Sequence, residues 1–251
     1  MIRLPHTLVG GAVLLSATLH AQTFNAASIK RSEPGNPNGS TFEYQTGGAL
    51  RVRNGTLRGL IESAYDIRDF QIVGGPGWLN TDQFDVLARS ESAESPSPRA
   101  DEMKTTRLKL QALLADRFKL VARHQTREMQ EFVLGVDKDG TKLLAEKSTP
   151  AQNSGIQSTC GHMIGTRATM ANLTLYLSRQ LSRPVLDATR LTERYSFQLS
   201  WTSELAPCAD SAENAPSLFT ALQEQLGLKL ESTKGPVDVI VVDRAERPTE
   251  D

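Results

Sequence analysis

Leu110-Gln-Ala-Leu-Leu-Ala-Asp-Arg-Phe-Lys-Leu-Val-Ala-Arg123 reads as the end of a helix that turns straight into a strand. Met103, Leu110, Leu113 and Leu114 fall on one side of a helix expected from about Asp101 to Asp116, the spacing of an amphipathic helix. Alternation then takes over: Phe118, Leu120 and Ala122 point one way, and Arg117, Lys119, Val121 and Arg123 the other. A second, weaker copy of the pattern is Leu218-Phe-Thr-Ala-Leu-Gln-Glu-Gln-Leu-Gly-Leu-Lys-Leu-Glu231. A stretch that occurs twice predicts two related modules. The expected class is therefore α+β: two βαββαβ-like modules, each a small mixed or antiparallel sheet packed by two helices.

The first module is expected over residues 22–140. Thr41–Tyr44 and Leu50–Arg53 flank Gly47-Gly48 as a hairpin. Thr56 is placed to cap a helix whose apolar face is Leu57, Leu60, Ile61, Ala64 and Tyr65. Gly74-Gly-Pro-Gly-Trp78 is a tight loop carrying one large aromatic ring, which can plug the core or serve as a ligand platform. Phe84–Ala88 and Phe132–Asp137 read as strands. Residues 141–166, rich in Ser, Thr, Pro, Gln, Asn and Gly, read as a linker.

The second module is expected over residues 167–251. Asn172 is placed as a helix cap before Leu173, Leu177 and Leu181, and Val185–Leu191 as a connector. Tyr195–Trp201 alternates as a strand. Pro216 opens a helix that Gly227 stops. Leu228–Glu231 and Val237–Val242 close the chain as two strands, joined by a turn containing Lys234-Gly-Pro236.

Composition bounds the function. Lys and Arg number 28 against 29 Asp and Glu, a net charge of −1, which gives no general attraction to nucleic acid or an anionic membrane. Arg3, the apolar run Leu8–Leu19 and Ala21 form a secretory signal over residues 1–21, too short to span a bilayer; an uncleaved anchor is the alternative. Insertion in the membrane after cleavage is not expected, and the location expected is periplasmic or secreted. In an oxidising compartment Cys160 and Cys208 make most simply one disulfide. The alternative is a metal site of Cys160, His162 and Cys208, whose Cys-Gly-His spacing is unusual for ligands. Arg117, Lys119 and Arg123 form a basic strand face and, with Trp78, a candidate binding surface; the bland reading of that face is solvation.

Several blocks together carry a family resemblance. They are Phe24-x-x-Ala-Ser-Ile-Lys30, Leu60-Ile-x-x-Ala-Tyr65, Gly74-Gly-Pro-x-Trp-Leu79, Phe84-Asp-Val-x-Ala88, Leu113-Leu-Ala-Asp-Arg-Phe-Lys-Leu120 and Val242-Asp-x-Ala-Glu-x-Pro-Thr-Glu250. The chain resembles the soil-associated protein family abundant in Acidobacteria, whose activity is unassigned. That family's domain is similar to one attached to membrane metallopeptidases of the antibiotic-sensor type. The chain lacks His-Glu-x-x-His, so the resemblance implies no peptidase activity. The second module, through Leu173–Leu181 and Ala221-Leu-Gln-Glu-Gln-Leu-Gly-Leu228, is similar to the short N-terminal domain of secretins and TonB-dependent receptors. That likeness implies a small periplasmic interaction domain.

No Gly-x-Ser-x-Gly elbow, phosphate loop or zinc signature is present, and no cofactor is implied. Three readings remain: a non-catalytic envelope binding or sensing protein, whose partner is an envelope protein or peptide; a hydrolase-like enzyme assembled in an interdomain cleft; and an envelope scaffold. Sequence leaves the oligomeric state open.

Overall fold

The computed structural model describes residues 23–33, 39–90, 99–146, 154–202 and 215–249; the signal segment expected over residues 1–21 lies outside them. The protein is α+β, as its helix and strand periodicities predict. In chain order the elements are β1 (Ala26–Arg31), β2 (Thr41–Tyr44), β3 (Leu50–Thr56), α1 (Leu57–Tyr65), β4 (Ile72–Gly74), β5 (Gln83–Arg89), α2 (Arg99–Arg117) and β6 (Val121–Val136). There follow β7 (Gly155–Thr159), β8 (His162–Ala168), α3 (Met170–Leu181), β9 (Val185–Asp187), β10 (Tyr195–Ser200), α4 (Leu218–Ala221, continued by a π turn through Leu226) and β11 (Leu228–Arg244).

Two small antiparallel sheets, β1-β5-β3-β2 and β10-β8-β7, flank a mixed sheet of order β4-β11-β6-β9. The mixed sheet is organised by one long ribbon. β6 and β11 run antiparallel from Leu228↔Val136 to Arg244↔Val121. β4 adds in parallel at Ile240–Val242, and β9 adds in parallel at Phe132–Leu134. The first core gathers Ile29, Leu50, Leu57, Leu60, Ile61, Phe84, Leu110, Leu114 and Phe118, together with Ile240 and Val242 from the far end of the chain. The second gathers Met163, Leu173, Leu177, Tyr195, Leu199, Trp201, Leu222 and Leu228, together with Phe132 and Leu134.

The ribbon corrects the expected division of the chain. β6 leaves the first core and ends in the second; β11 does the reverse. Neither the break after Arg123 nor the turn at Lys234-Gly-Pro236 exists, because each strand has a partner along its whole length. Pro236 is tolerated because β11 has a strand on its other edge only at Ile240–Val242. The expected linker at 141–166 is also corrected: Ala145 bridges to Tyr195, and β7 and most of β8 fall inside it, leaving 147–153 outside the described residues. The expected connector contains β9.

Both modules follow the order βαββαβ, as β3-α1-β4-β5-α2-β6 and β8-α3-β9-β10-α4-β11. Their backbone details also agree. Thr56 accepts from the Gly59 amide and Thr169 from the Asn172 amide, so both helices have a Thr cap. Asn172 is the third residue of its helix, not the cap, and its side chain returns a hydrogen bond to Thr169 as a capping box. In each module the strand before that cap bulges through a residue with positive φ, Asn54 or Arg167. The amide that the bulge leaves out of the ladder is taken by a side chain of the facing strand, by Asp85 Oδ1 at 2.9 Å and by Ser196 Oγ at 3.0 Å. The first helix ends on a left-handed residue, Asp66 or Ser182, and the ribbon strand is entered through another, Lys119 or Gly227.

Lys119 and Gly227 lie 108 positions apart (227 − 119). The same offset carries Phe132–Leu134, where β9 adds, onto Ile240–Val242, where β4 adds. It also carries Glu128 onto Pro236, which face each other at the ribbon's centre. The ribbon thus maps onto itself about that pair.

Candidate functional site

The expected surface of Trp78, Arg117, Lys119 and Arg123 is not a single face. Arg117 ends α2 and Lys119 is a left-handed turn residue; β6 begins only at Val121. Each cation has a local carboxylate beside it: Asp116 lies 3.4 Å from Arg117 and 3.9 Å from Lys119, and Asp243 lies 3.1 Å from Arg123. Trp78 is half-buried against the first core, edge-on to Phe84, and Arg247 lies 5.1 Å above its ring. Arg247 also donates to Asp82 at 2.7 Å, so Trp78 serves to clamp the C-terminal segment. Its loop is held by backbone geometry. Gly75 has φ +81°, and a Cβ there would stand 2.1 Å from Leu79 Cδ1 and 3.1 Å from Val242 Cγ1.

Cys160 is disulfide-bonded rather than a free thiol; Cys208 lies outside the described residues. His162 Nδ1 lies 2.9 Å from Ser200 Oγ. The alternative metal site therefore lacks the thiolate it would need from Cys160. Among the described residues no three His, Cys, Asp or Glu side chains are grouped to hold a metal ion. No described helix is long and apolar enough to cross a membrane.

What the fold does build is a groove where the modules meet, with a volume of about 510 Å³, within the usual range for a ligand site. The turn between α1 and β4 supplies Asp66, Arg68, Phe70 and Gln71. The second module supplies Thr174, Leu175 and Ser178 from α3, and Pro184, Val185 and Leu186 along β9. The ribbon contributes Glu131, Pro236, Val237 and Asp238. The walls are held in place by hydrogen bonds. Gln71 Nε2 donates to the Asp238 carbonyl at 2.8 Å. Ser178 Oγ donates to the Thr174 carbonyl at 2.7 Å and accepts from the Val185 amide at 3.0 Å, pinning α3 to β9.

Charge in the groove is mixed. Asp66 is paired with Arg107 at 2.8 Å. Asp238 Oδ2 lies 2.9 Å from His124 Nδ1, and Tyr65 meets the His124 ring edge-on. Burial holds the Arg68 guanidinium below its ordinary value, and the nearby Arg179 of α3 lowers it further. Outside the groove, Glu62 on α1, which lines a separate hollow with Arg58 and Asp69, is pushed up, first by burial and then by Asp69. Glu131 is 6% exposed; its backbone sits in the ribbon opposite Thr233, and its side chain makes no hydrogen bond or ion pair among the described residues. Local sequence pattern points to neither the His124–Asp238 pair nor Glu131. Both depend on the ribbon pairing, which brings together residues more than a hundred positions apart.

A family model described as a protein of unknown function (DUF3738) matches residues 58–245, a span that runs from the first turn of α1 to the end of the ribbon and leaves out β1, β2 and β3. No curated protein and no solved structure matches the chain.

Proposed function

The chain belongs to the DUF3738 family, and we propose that it is an exported, non-catalytic binding or sensing protein of the cell envelope whose ligand occupies the groove between its modules. One observation carries this reading: a groove of ligand size has walls from both modules, and its sides are already fixed by hydrogen bonds. Such a site needs little reordering to bind. Export is supported by the apolar N-terminal segment and by the disulfide at Cys160. We pair Cys160 with Cys208, the other cysteine of the chain. The shared offsets and caps support an internal duplication, in which each copy has passed its last strand to the other. The likenesses to the soil-associated family and to the secretin and TonB-receptor domain belong to the same proposal, and agree with an envelope role.

The test is native mass spectrometry of the protein after incubation with its own envelope extract. Wild type should retain an added mass that Leu175→Trp, which fills the groove from a position 40% exposed, does not. Equal retention by both would overturn the reading.

A second reading, a hydrolase-like enzyme whose site adjoins the cleft, is favoured by the contact of the groove residue Asp238 with the exposed His124, since a carboxylate on one imidazole nitrogen orients the other as a base. It requires turnover that His124→Ala abolishes.

A further inference from the structure

We propose that Glu131 is the recognition residue of the groove, and that the ligand it takes carries a protonated amine or guanidinium on an apolar body. The inference rests on the groove being a ligand site and names the ligand's chemical class.

Three observations converge on Glu131. It is buried to 6% exposure and lines the groove, yet it has no partner among the described residues. The stem is packed away from water, and the carboxylate oxygens are not among the buried unpartnered atoms, so the fold holds at the groove wall an accessible charge that no side chain of its own pairs with. The neighbouring acids differ, since Asp66 has Arg107 and Asp238 has His124. The cradle is made by Gly235, where a Cβ would stand 2.2 Å from Glu131 Oε1; any larger residue would displace the carboxylate.

The third observation is the comparison within the ribbon. The 108-position offset that maps β6 onto β11 places Glu131 on Val239, which is fully buried. The same structural position accepts an apolar side chain in one module and holds a carboxylate in the other, so packing does not demand the charge. The adjoining lining of Leu175, Val185, Leu186, Pro236 and Val237 suits an apolar body. Pro236 has no amide to donate at the open edge of β11, which disfavours capture of an extended strand and favours recognition by side chains.

The test titrates the full chain with phenethylamine, cadaverine and arginine methyl ester, and with 3-phenylpropionate as the anion of phenethylamine's shape, following backbone amide shifts of Thr174, Leu186 and Val237. Glu131→Gln and Glu131→Val are measured alongside, with melting temperatures to show that each folds. The expected result is that at least one cationic probe shifts these amides in wild type and binds at least tenfold more weakly to Glu131→Gln, while both variants melt no lower than wild type. Equal binding to Glu131→Gln, or a marked drop in the melting temperature of Glu131→Val, would overturn the proposal. Binding of 3-phenylpropionate in preference to the amines would also overturn it, and would leave the groove standing as a ligand site. If no probe binds and no mass is retained from extract, the groove reading falls as well.

Discussion

The two modules solve one folding problem with different residues. Each needs a left-handed residue to pass from its second helix into the ribbon. The second module uses Gly227; the first uses Lys119, at φ +48°. Each also ties the chain leaving the ribbon to the carbonyl just before that residue. Glu246 N donates to Phe118 O at 2.7 Å, and Lys142 N donates to Leu226 O at 2.9 Å. Beyond these shared joints the modules diverge. The first has a 19-residue α2 and an Arg247–Asp82–Trp78 clamp, whereas the second has a short α4 ending in a π turn and a disulfide at Cys160. The shared features are the ones the ribbon requires, and the divergent ones are where each module is free to specialise.

The largest test of that comparison is in the cores. Phe132 and Ile240 occupy matching places on the ribbon, and each serves the core of the module its strand enters last. Phe132→Ala and Ile240→Ala should each cost about 3–4 kcal/mol. Because β6 and β11 pair throughout, both variants should still unfold in one cooperative denaturant transition. Two separated transitions would show that the modules fold independently and that the ribbon does not couple them.

Removing the disulfide comes next. If Cys160 closes a loop of about fifty residues with Cys208, Cys160→Ser should lose about 2–4 kcal/mol. Hydrogen exchange should then rise first in β7, β8 and β10. Uniform loss across both modules would mean that the bond stabilises something other than the second module.

The joints should respond in opposite directions. Gly227→Ala should lose about 2 kcal/mol or more, since it combines positive φ with a Cβ placed 2.3 Å from Gly140 O. Lys119→Gly should gain about 0.5–1 kcal/mol by relieving the left-handed strain, because its contact with Asp116 is long and exposed. Thermal melts of both variants decide the matter; destabilisation by Lys119→Gly would show that its side chain has a role the backbone comparison misses.

Much of this was legible in local pattern. The apolar face Leu57, Leu60, Ile61 and Ala64 gave α1 with its Thr56 cap, and Leu110, Leu113 and Leu114 gave the inward side of α2. What was not legible is the ribbon. Lys234-Gly-Pro236 is turn chemistry by any local rule, and only the uninterrupted partner β6 overrides it. The two similar stretches, Leu110–Arg123 and Leu218–Glu231, stand 108 positions apart, the separation of the left-handed Lys119 and Gly227. Arg127-Glu-Met-Gln-Glu131 reads as solvated surface, and Glu131 is buried only because Gly235 comes beside it from across the ribbon. The groove residues come from α3, β9, the turn after α1 and both ribbon strands, so no contiguous motif could announce them.

The smallest effect separates the two exits from the ribbon by pH. The first module adds a clamp to the shared backbone tie. Asp82 is about one-tenth exposed and receives Arg247 at 2.7 Å, with Arg31 at 3.5 Å. The Arg247 hydrogen bond holds its carboxyl below the usual range against the opposing effect of burial, and the charges of Arg247 and Arg31 add to the lowering. A folded-state value below the unfolded one means that the stabilisation is fully present above the unfolded carboxylate value, about 3.9, and is lost as pH falls through the folded value. Arg247 is more than half exposed, so solvent screening limits the contribution to about 1 kcal/mol or less. Wild type should therefore lose stability below about pH 4 more steeply than Arg247→Gln, with exchange rising first at Glu246 while the Lys142 amide of the other exit stays protected. Equal acid sensitivity at the two exits would mean that the clamp is not what distinguishes them, and that the backbone tie alone secures each end of the ribbon.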